Sequence, residues 1–362
     1  MKFILTADDY GHSPIIDDAI EEAAERGMIT SVAAFANVLN RKTNEQNNVE
    51  KVRDFQDRFP HISIGLHFSV TAGPRVNKGS KSLSPKGSDL FKPVTKQLQK
   101  VSEDELKDEL RAQIRLFEDA GIRIKHFSDH HGILNHTRRG RDALIEVITE
   151  YNNRAGKQVS IRNPVFTSAL VNSPSNCLDK SNAIGTANFF STLDDFKRLF
   201  TLRRKERLRV KFLKGLHLPQ NDLLDRFVKA GIPSTDYFVD SMWSAINESI
   251  TNCIFNPKNY SVETSIEREF RLIPDEPTVE FMLHFAKTEA DYDADFYQKE
   301  LDYLASLGGI DTTYITKKSG RRNEFRLIKN FVKDTEKHKK FGIDAGRDFI
   351  PFEPKDIPQM IV

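Results

Sequence analysis

Phe3-Ile4-Leu5-Thr6-Ala7-Asp8-Asp9-Tyr10-Gly11-His12-Ser13-Pro14 is the stretch on which the reading of this chain turns. The apolar run at Phe3-Ile4-Leu5 has the character of a strand, Ala7 to Gly11 breaks it, and Ser13-Pro14 opens an amphipathic segment. Ser13 suits the helix N-cap, and Pro14 has no amide to leave unpaired at the first helical position. Ile16, Ile20, Ala23 and Ala24 then recur at helical spacing, while Asp17, Glu21, Glu22 and Glu25 fall on other faces and Gly27 ends the segment. Residues 29–37 read as a second strand, giving a βαβ unit within the first forty residues. Asp8 and Asp9 therefore stand at the C-terminal end of a strand, where the loops of α/β folds converge and chemistry is done.

The same alternation continues. A helical stretch near 49–59 leads to a strand over 62–70, Ser102 to Ala120 is an amphipathic helix opened by a capping box of Ser102 and Glu105, and a strand over Ile122 to His126 breaks into Ser128-Asp129-His130-His131-Gly132. A helix over about 139–154, a short strand at 159–162, a strand at 278–284 and a helix over about 294–306 follow. Residues 77–93 form a long polar loop, of the kind that is functional or disordered. Residues 167–230 are harder to read, with candidate helices near 192–205 and 220–230. This order predicts parallel β/α architecture, as a barrel or an open sheet. It covers residues 1–310, with 311–362 as a basic C-terminal extension that could pack on the barrel.

With 362 residues, 38% of them hydrophobic and 29% charged, the chain has the composition of a soluble globular protein. No apolar run approaches the roughly 20 residues of a membrane span, and no secretory signal pattern opens the chain, so the expected location is cytoplasmic. Net charge is only +2, and the basic runs at 203–209, 317–322 and 337–340 lack interleaved aromatics, which argues against a nucleic-acid partner. Cys177 and Cys253, far apart, form neither a thiolate metal motif nor a disulfide framework.

Three strand ends present polar groups of one kind: Asp8 with Asp9, His67, and His130 with His131. One carboxylate and two imidazoles suit a divalent ion such as Zn²⁺, Fe²⁺, Mn²⁺ or Co²⁺ and leave coordination positions open. Such a site polarises a carbonyl and acidifies water, and a second carboxylate can take the proton. Tyr10, Phe68, Tyr237 and Trp243 are candidates for stacking on a substrate ring.

Thr6-Ala7-Asp8-Asp9-Tyr10-Gly11 with Gly27-Met28-Ile29-Thr30-Ser31 resembles the opening of the YdjC-like carbohydrate deacetylases, the chitooligosaccharide deacetylase family. Gly65-Leu66-His67-Phe68 with Thr71 to Val76, His126 to His130, Ile161-Arg162-Asn163-Pro164, Ala230 to Phe238 and Glu280 to His284 are similar to its later motifs, in the same order over about residues 2–308. The resemblance implies a distorted (β/α) barrel of the polysaccharide-deacetylase type, with insertions, that removes N-acetyl groups from an amino sugar or short oligosaccharide. It implies one divalent metal ion, magnesium or zinc, held by Asp9, His67 and His130. Asp8 would be the general base and His284 the general acid, with the two aspartate roles exchangeable. Arg162 would orient a carboxylate or contact the small carbohydrate substrate. Relatives are often dimers, which leaves a homodimer open.

The third motif departs from the family's His-x-Asp-x-His-x-His: Ser128 stands for the Asp and Gly132 for the last His. A bulge in that strand would bring His131 to the metal in place of His130. These departures leave room for a hydrolase of another amide or ester, or for an inactive carbohydrate-binding homologue.

Overall fold

The computed structural model describes residues 2–37, 49–92, 101–135, 137–163, 226–235, 237–240, 278–307, 344–353 and 355–356, with the isolated positions Thr312, Ile315, Phe325 and Lys333. Strand β1 (Lys2–Tyr10) is followed by α1 (Pro14–Glu25), β2 (Ser31–Ala34), α2 (Val49–Arg58), β3 (Ser63–Phe68), α3 (Glu103–Asp119), β4 (His126–Asp129) and α4 (Arg138–Ala155). Short strands β5 (Lys157–Gln158) and β6 (Ser160–Ile161) come next, then β7 (Tyr237–Asp240), β8 (Thr278–Leu283), α5 (Ala294–Ser306), α6 (Ala345–Asp348) and β9 (Lys355–Asp356).

Among the described residues seven strands form one sheet in the order β6-β4-β3-β2-β1-β8-β7, and every neighbouring pair is parallel. The sheet curls. Ile161 at one edge bridges Ser234, just before β7 at the other, and its amide donates to the Pro233 carbonyl at 2.9 Å. The architecture is thus a curled parallel half-barrel, in line with the distorted (β/α) barrel that the resemblance implies.

Strand alternation gives the curled sheet two chemically different faces. Phe3, Leu5 and Ala7 of β1, Val32 and Ala34 of β2, Ile64, Leu66 and Phe68 of β3, and Phe281 and Leu283 of β8 join the apolar stripes of the helices in one buried core. The alternate positions turn into the barrel and are largely polar: Thr6 and Asp8, Ser63 and His67, His126 and Ser128, Arg162, and Glu280 are all buried. Function is built on that inner face.

Local signals act much as expected. The Ser13 side chain accepts from the Ile15 amide at 3.4 Å, Pro14 opens α1, and Gly27 follows it in the left-handed region at φ +64°. At α3 the capping box is half made. Ser102 accepts from the Glu105 amide, but the Glu105 carboxylate accepts from the Ser82 amide instead. The buried Glu109 carboxylate takes the amides of Val76 and Asn77, each at 2.8 Å. The start of the long loop, residues 76–82, is therefore strapped to α3.

Strand β4 begins four residues later than the run of isoleucines suggests. Ile122 and Ile124 are buried, but the ladder with β3 starts at Gly65↔His126. Of residues 167–230, only 226–230 belong to the described residues. The segment 344–353 lies across the N-terminal end of the barrel: Phe349 bridges Phe3, the Ile350 amide donates to the Phe3 carbonyl, and the Phe352 amide donates to Ser63 Oγ at 3.0 Å. The Phe352 ring stacks on His126 with centroids 4.2 Å apart. Among the described residues no helix is long and apolar enough to cross a membrane.

Candidate metal centre and active site

The end of β1 is bulged. Thr6 and Ala7 pair with Ser31 and Val32, but the next partner of β2, Ala34, faces Tyr10, so Asp8 and Asp9 together stand opposite Ala33. Asp9 absorbs the extra residue in the left-handed region, at φ +72°. That conformation costs on the order of 1 kcal/mol or more in a residue other than glycine, and aspartate is among the side chains that tolerate it best. The bulge breaks strict alternation, so both carboxylates face the interior. It also corrects the reading of Tyr10. Its ring is turned to the helix side against Phe55 (4.9 Å), and its hydroxyl donates to Glu21 at 2.9 Å, so Tyr10 supports helix packing. Phe68 likewise belongs to the helix-side core, stacked on Phe127 at 5.2 Å. The Tyr237 side chain and Trp243 lie outside the described residues.

Asp9, His67 and His130 meet at the C-terminal ends of β1, β3 and β4, each offering a ligand atom within 4.8 Å of the others. Asp9 Oδ1 is 3.7 Å from His67 Nε2 and 3.3 Å from His130 Nδ1, and those two nitrogens are 3.2 Å apart. Burial pushes the His67 pKa down to about 3 against the opposing pull of Asp8, so the imidazole is neutral at neutral pH, the form that binds metals. The pairing of β3 with β4 is unbroken from His126 to Asp129, so the bulge lies in β1 and His130 takes the inward position. His131, at φ +64°, is exposed on the rim, its ring 3.8 Å from that of His130 and its Nδ1 2.9 Å from Thr71 Oγ1.

Beneath this cluster Asp8 is gripped by Arg162, with Nη1 on Oδ2 at 2.6 Å and Nη2 on Oδ1 at 2.7 Å, while Arg162 Nε donates to Glu280 Oε1 at 2.8 Å. Burial by itself would raise the Asp8 pKa, but the Arg162 guanidinium, helped by His67 and His284, holds it below the ordinary carboxylate range. Glu280 is raised, because burial outweighs its share of the same guanidinium. Arg162 orients a carboxylate, that of Asp8, and its nitrogens are turned to Asp8 and Glu280. Asp8 Oδ2 also lies 3.9 Å from His67 Nε2, which puts the second carboxylate at the edge of the ligand cluster. His284 follows Leu283, which pairs with Ala7, so it comes out of β8 next to Asp8.

The donor set fits a divalent cation on charge as well as geometry. Asp8 and Asp9 as carboxylates, set against Arg162, leave one negative charge among these buried groups when Glu280 is protonated and two when it is ionised. Uncompensated buried charge is expensive, and a divalent ion would neutralise it. Asp129 adds nothing at neutral pH, because burial raises its pKa to about 8 against the amides of Asn135 and Leu134.

Sequence reasoning missed Glu280 and Phe35. Phe35 walls the cluster, its ring 4.9 Å from His67, 5.0 Å from His130 and 3.7 Å from His12. The signal for Glu280 was present, a lone charge at an inward position of Thr278-Val-Glu-Phe-Met-Leu283.

The family model for YdjC-like proteins matches residues 2–309. The chain belongs to the YdjC-like family. Among its curated relatives, the carbohydrate deacetylase of Brevibacillus brevis is 29% identical over 136 residues, covering 38% of this chain and 51% of the relative. That of Listeria monocytogenes is 32% identical over 136 residues, 37% of this chain and 52% of the relative. The chain thus matches about half the length of these YdjC-like relatives. A solved structure from Enterococcus faecalis V583, of a protein whose assignment to cellobiose-phosphate cleavage is provisional, aligns with a TM-score of 0.56 at 16% identity, covering 94% of this chain and 95% of the other. At that identity the match supports the fold of this YdjC-like chain alone.

Proposed function

We propose that this protein is a metal-dependent hydrolase that removes N-acetyl groups from an amino sugar or short oligosaccharide. Membership of the YdjC-like family and the names of the curated relatives support the reaction class. The observation that carries it is the pairing of a ligand-like Asp9-His67-His130 cluster with a second carboxylate, Asp8, held ionised at its edge.

Asp9, His67 and His130 would hold one divalent ion, magnesium or zinc, which supplies Lewis-acid polarisation of the amide carbonyl and lowers the pKa of water. Asp8 accepts the proton of the attacking water, and Arg162 keeps that carboxylate both ionised and oriented. Water oxygen bonds to the carbonyl carbon, the carbon–nitrogen bond breaks, and His284 delivers a proton to the departing nitrogen. Acetate and a free amine result. His131, exposed and hydrogen-bonded to the buried Thr71, would meet the sugar.

The test is acetate release from N-acetylated chitooligosaccharides by protein loaded with zinc or magnesium and by protein stripped with a chelator. Release that requires the metal supports the reading. Stoichiometric metal without release from any N-acetylated sugar would contradict the assigned substrate, and equal release after stripping would contradict the metal.

A further inference from the structure

The parallel ladder sets His67 directly opposite Ser128, and both side chains are buried on the inner face. Ser128 Oγ lies 2.6 Å from His67 Nδ1, while Nε2, across the ring, faces Asp9 and His130. A neutral imidazole carries one proton, and the partner of one nitrogen decides which lone pair the other presents. We propose that Ser128 is the positioning residue that fixes His67 as an Nε2 ligand: the Ser128 hydroxyl oxygen accepts Nδ1–H and leaves the Nε2 lone pair directed at the cation.

This rests on the metal-centre reading above and adds to it a role for a residue that, by motif, counts as a departure. Metal-ligating histidines usually donate their outer N–H to a carboxylate, carbonyl or water, and loss of that partner weakens metal binding. Here the outer partner is a neutral hydroxyl. The other imidazole lacks an equivalent: His130 Nε2 is buried without a hydrogen-bond partner among the described residues. Orientation of the imidazole pair therefore falls chiefly on the Ser128–His67 contact. Phe127 faces the helix-side core, and Asp129 accepts from the Asn135 amide at 2.9 Å, so neither flanking residue can substitute.

The experiment is a zinc titration of the metal-free full chain against a chromophoric chelator, for wild type, Ser128→Ala, Ser128→Thr and His67→Ala. Ser128→Ala is expected to weaken zinc binding by roughly 10–100-fold. Ser128→Thr, which keeps the hydroxyl, is expected to bind as wild type, and His67→Ala to lose the site. Wild-type affinity in Ser128→Ala, or binding by Ser128→Thr as weak as by Ser128→Ala, would overturn the proposal while leaving the metal centre standing. A wild type that takes up no zinc would overturn both. Should Ser128→Ala fail to fold, the imidazole ¹⁵N spectrum of zinc-loaded wild type decides the matter. A protonated Nδ1 on His67 is expected, and an unprotonated Nδ1 would overturn the assignment.

Discussion

Arg162 meets Asp8 through two nitrogens at 2.6 and 2.7 Å, so the carboxylate proposed as general base is oriented and kept ionised by one buried guanidinium. The two groups come from opposite parts of the sheet, β1 and the end of β6, and only curling of the sheet brings them together.

Replacing Arg162 by Lys removes the fork while retaining a charge, and replacing it by Met removes the charge as well. The Asp8 pKa then rises. Because the base must be ionised to act, the acid limb of the pH dependence of kcat/KM is expected to move to higher pH, further for Arg162→Met than for Arg162→Lys. Breaking a buried ion pair should also cost about 3–5 kcal/mol of stability. An acid limb that stays in place in Arg162→Met would show that Asp8 is not the titrating base.

Gly65 is required by its neighbour on β4. A Cβ there would lie 2.1 Å from His126 Nε2, inside a barrel end closed by Phe352. Gly65→Ala is expected to destabilise the protein by about 1–3 kcal/mol through overpacking. In Gly65→Ala/His126→Ala the loss should be smaller than the sum of the single losses, because the methyl occupies space the ring has left. Urea unfolding of the four proteins checks this, and additivity would contradict the packing argument.

Asp17 links stability to pH. Burial raises its pKa from the ordinary aspartate value of 3.8 to about 6, against the pull of Lys51 and the Gly11 amide. The folded state therefore holds a proton that the unfolded state has released. This contribution is full below pH 4, declines as pH rises through 6, and is flat above. Asp17→Asn cannot ionise, so its stability relative to wild type should climb between pH 4 and 7, by an amount on the order of 3 kcal/mol. A difference that does not vary with pH would contradict the shift.

Much of this site was legible in the sequence because strand ends are. Asp8, Asp9, His67 and His130 follow apolar runs whose period reveals the strands, and the caps at Ser13 and Ser102 mark where helices begin. What sequence hid was the bulge. Nothing in Ala7-Asp8-Asp9-Tyr10 declares that two residues will face one, yet that insertion turns both carboxylates inward and sends Tyr10 to the helices. Asp17, expected on an outer helix face, is instead buried as the acceptor of the Gly11 amide at 2.7 Å. The pairing of Arg162 with Asp8 and Glu280 spans more than a hundred residues in either direction, a separation at which local pattern carries no information. Ser128, which differs from the motif, lies against the His67 ring for the simple reason that the ladder puts the two side by side.

The central claim is that adjacent aspartates divide the work, Asp9 holding the metal and Asp8 moving the proton. The most direct measurement is zinc stoichiometry together with acetate release from N-acetylated chitooligosaccharides, for Asp8→Asn and Asp9→Asn beside the wild type. Asp8→Asn is expected to retain zinc and to lose turnover by about 10²–10⁴-fold, the usual weight of a general base. Asp9→Asn is expected to lose both. Zinc lost from Asp8→Asn but kept by Asp9→Asn would exchange the two roles, and near-wild-type turnover in Asp8→Asn would contradict the account.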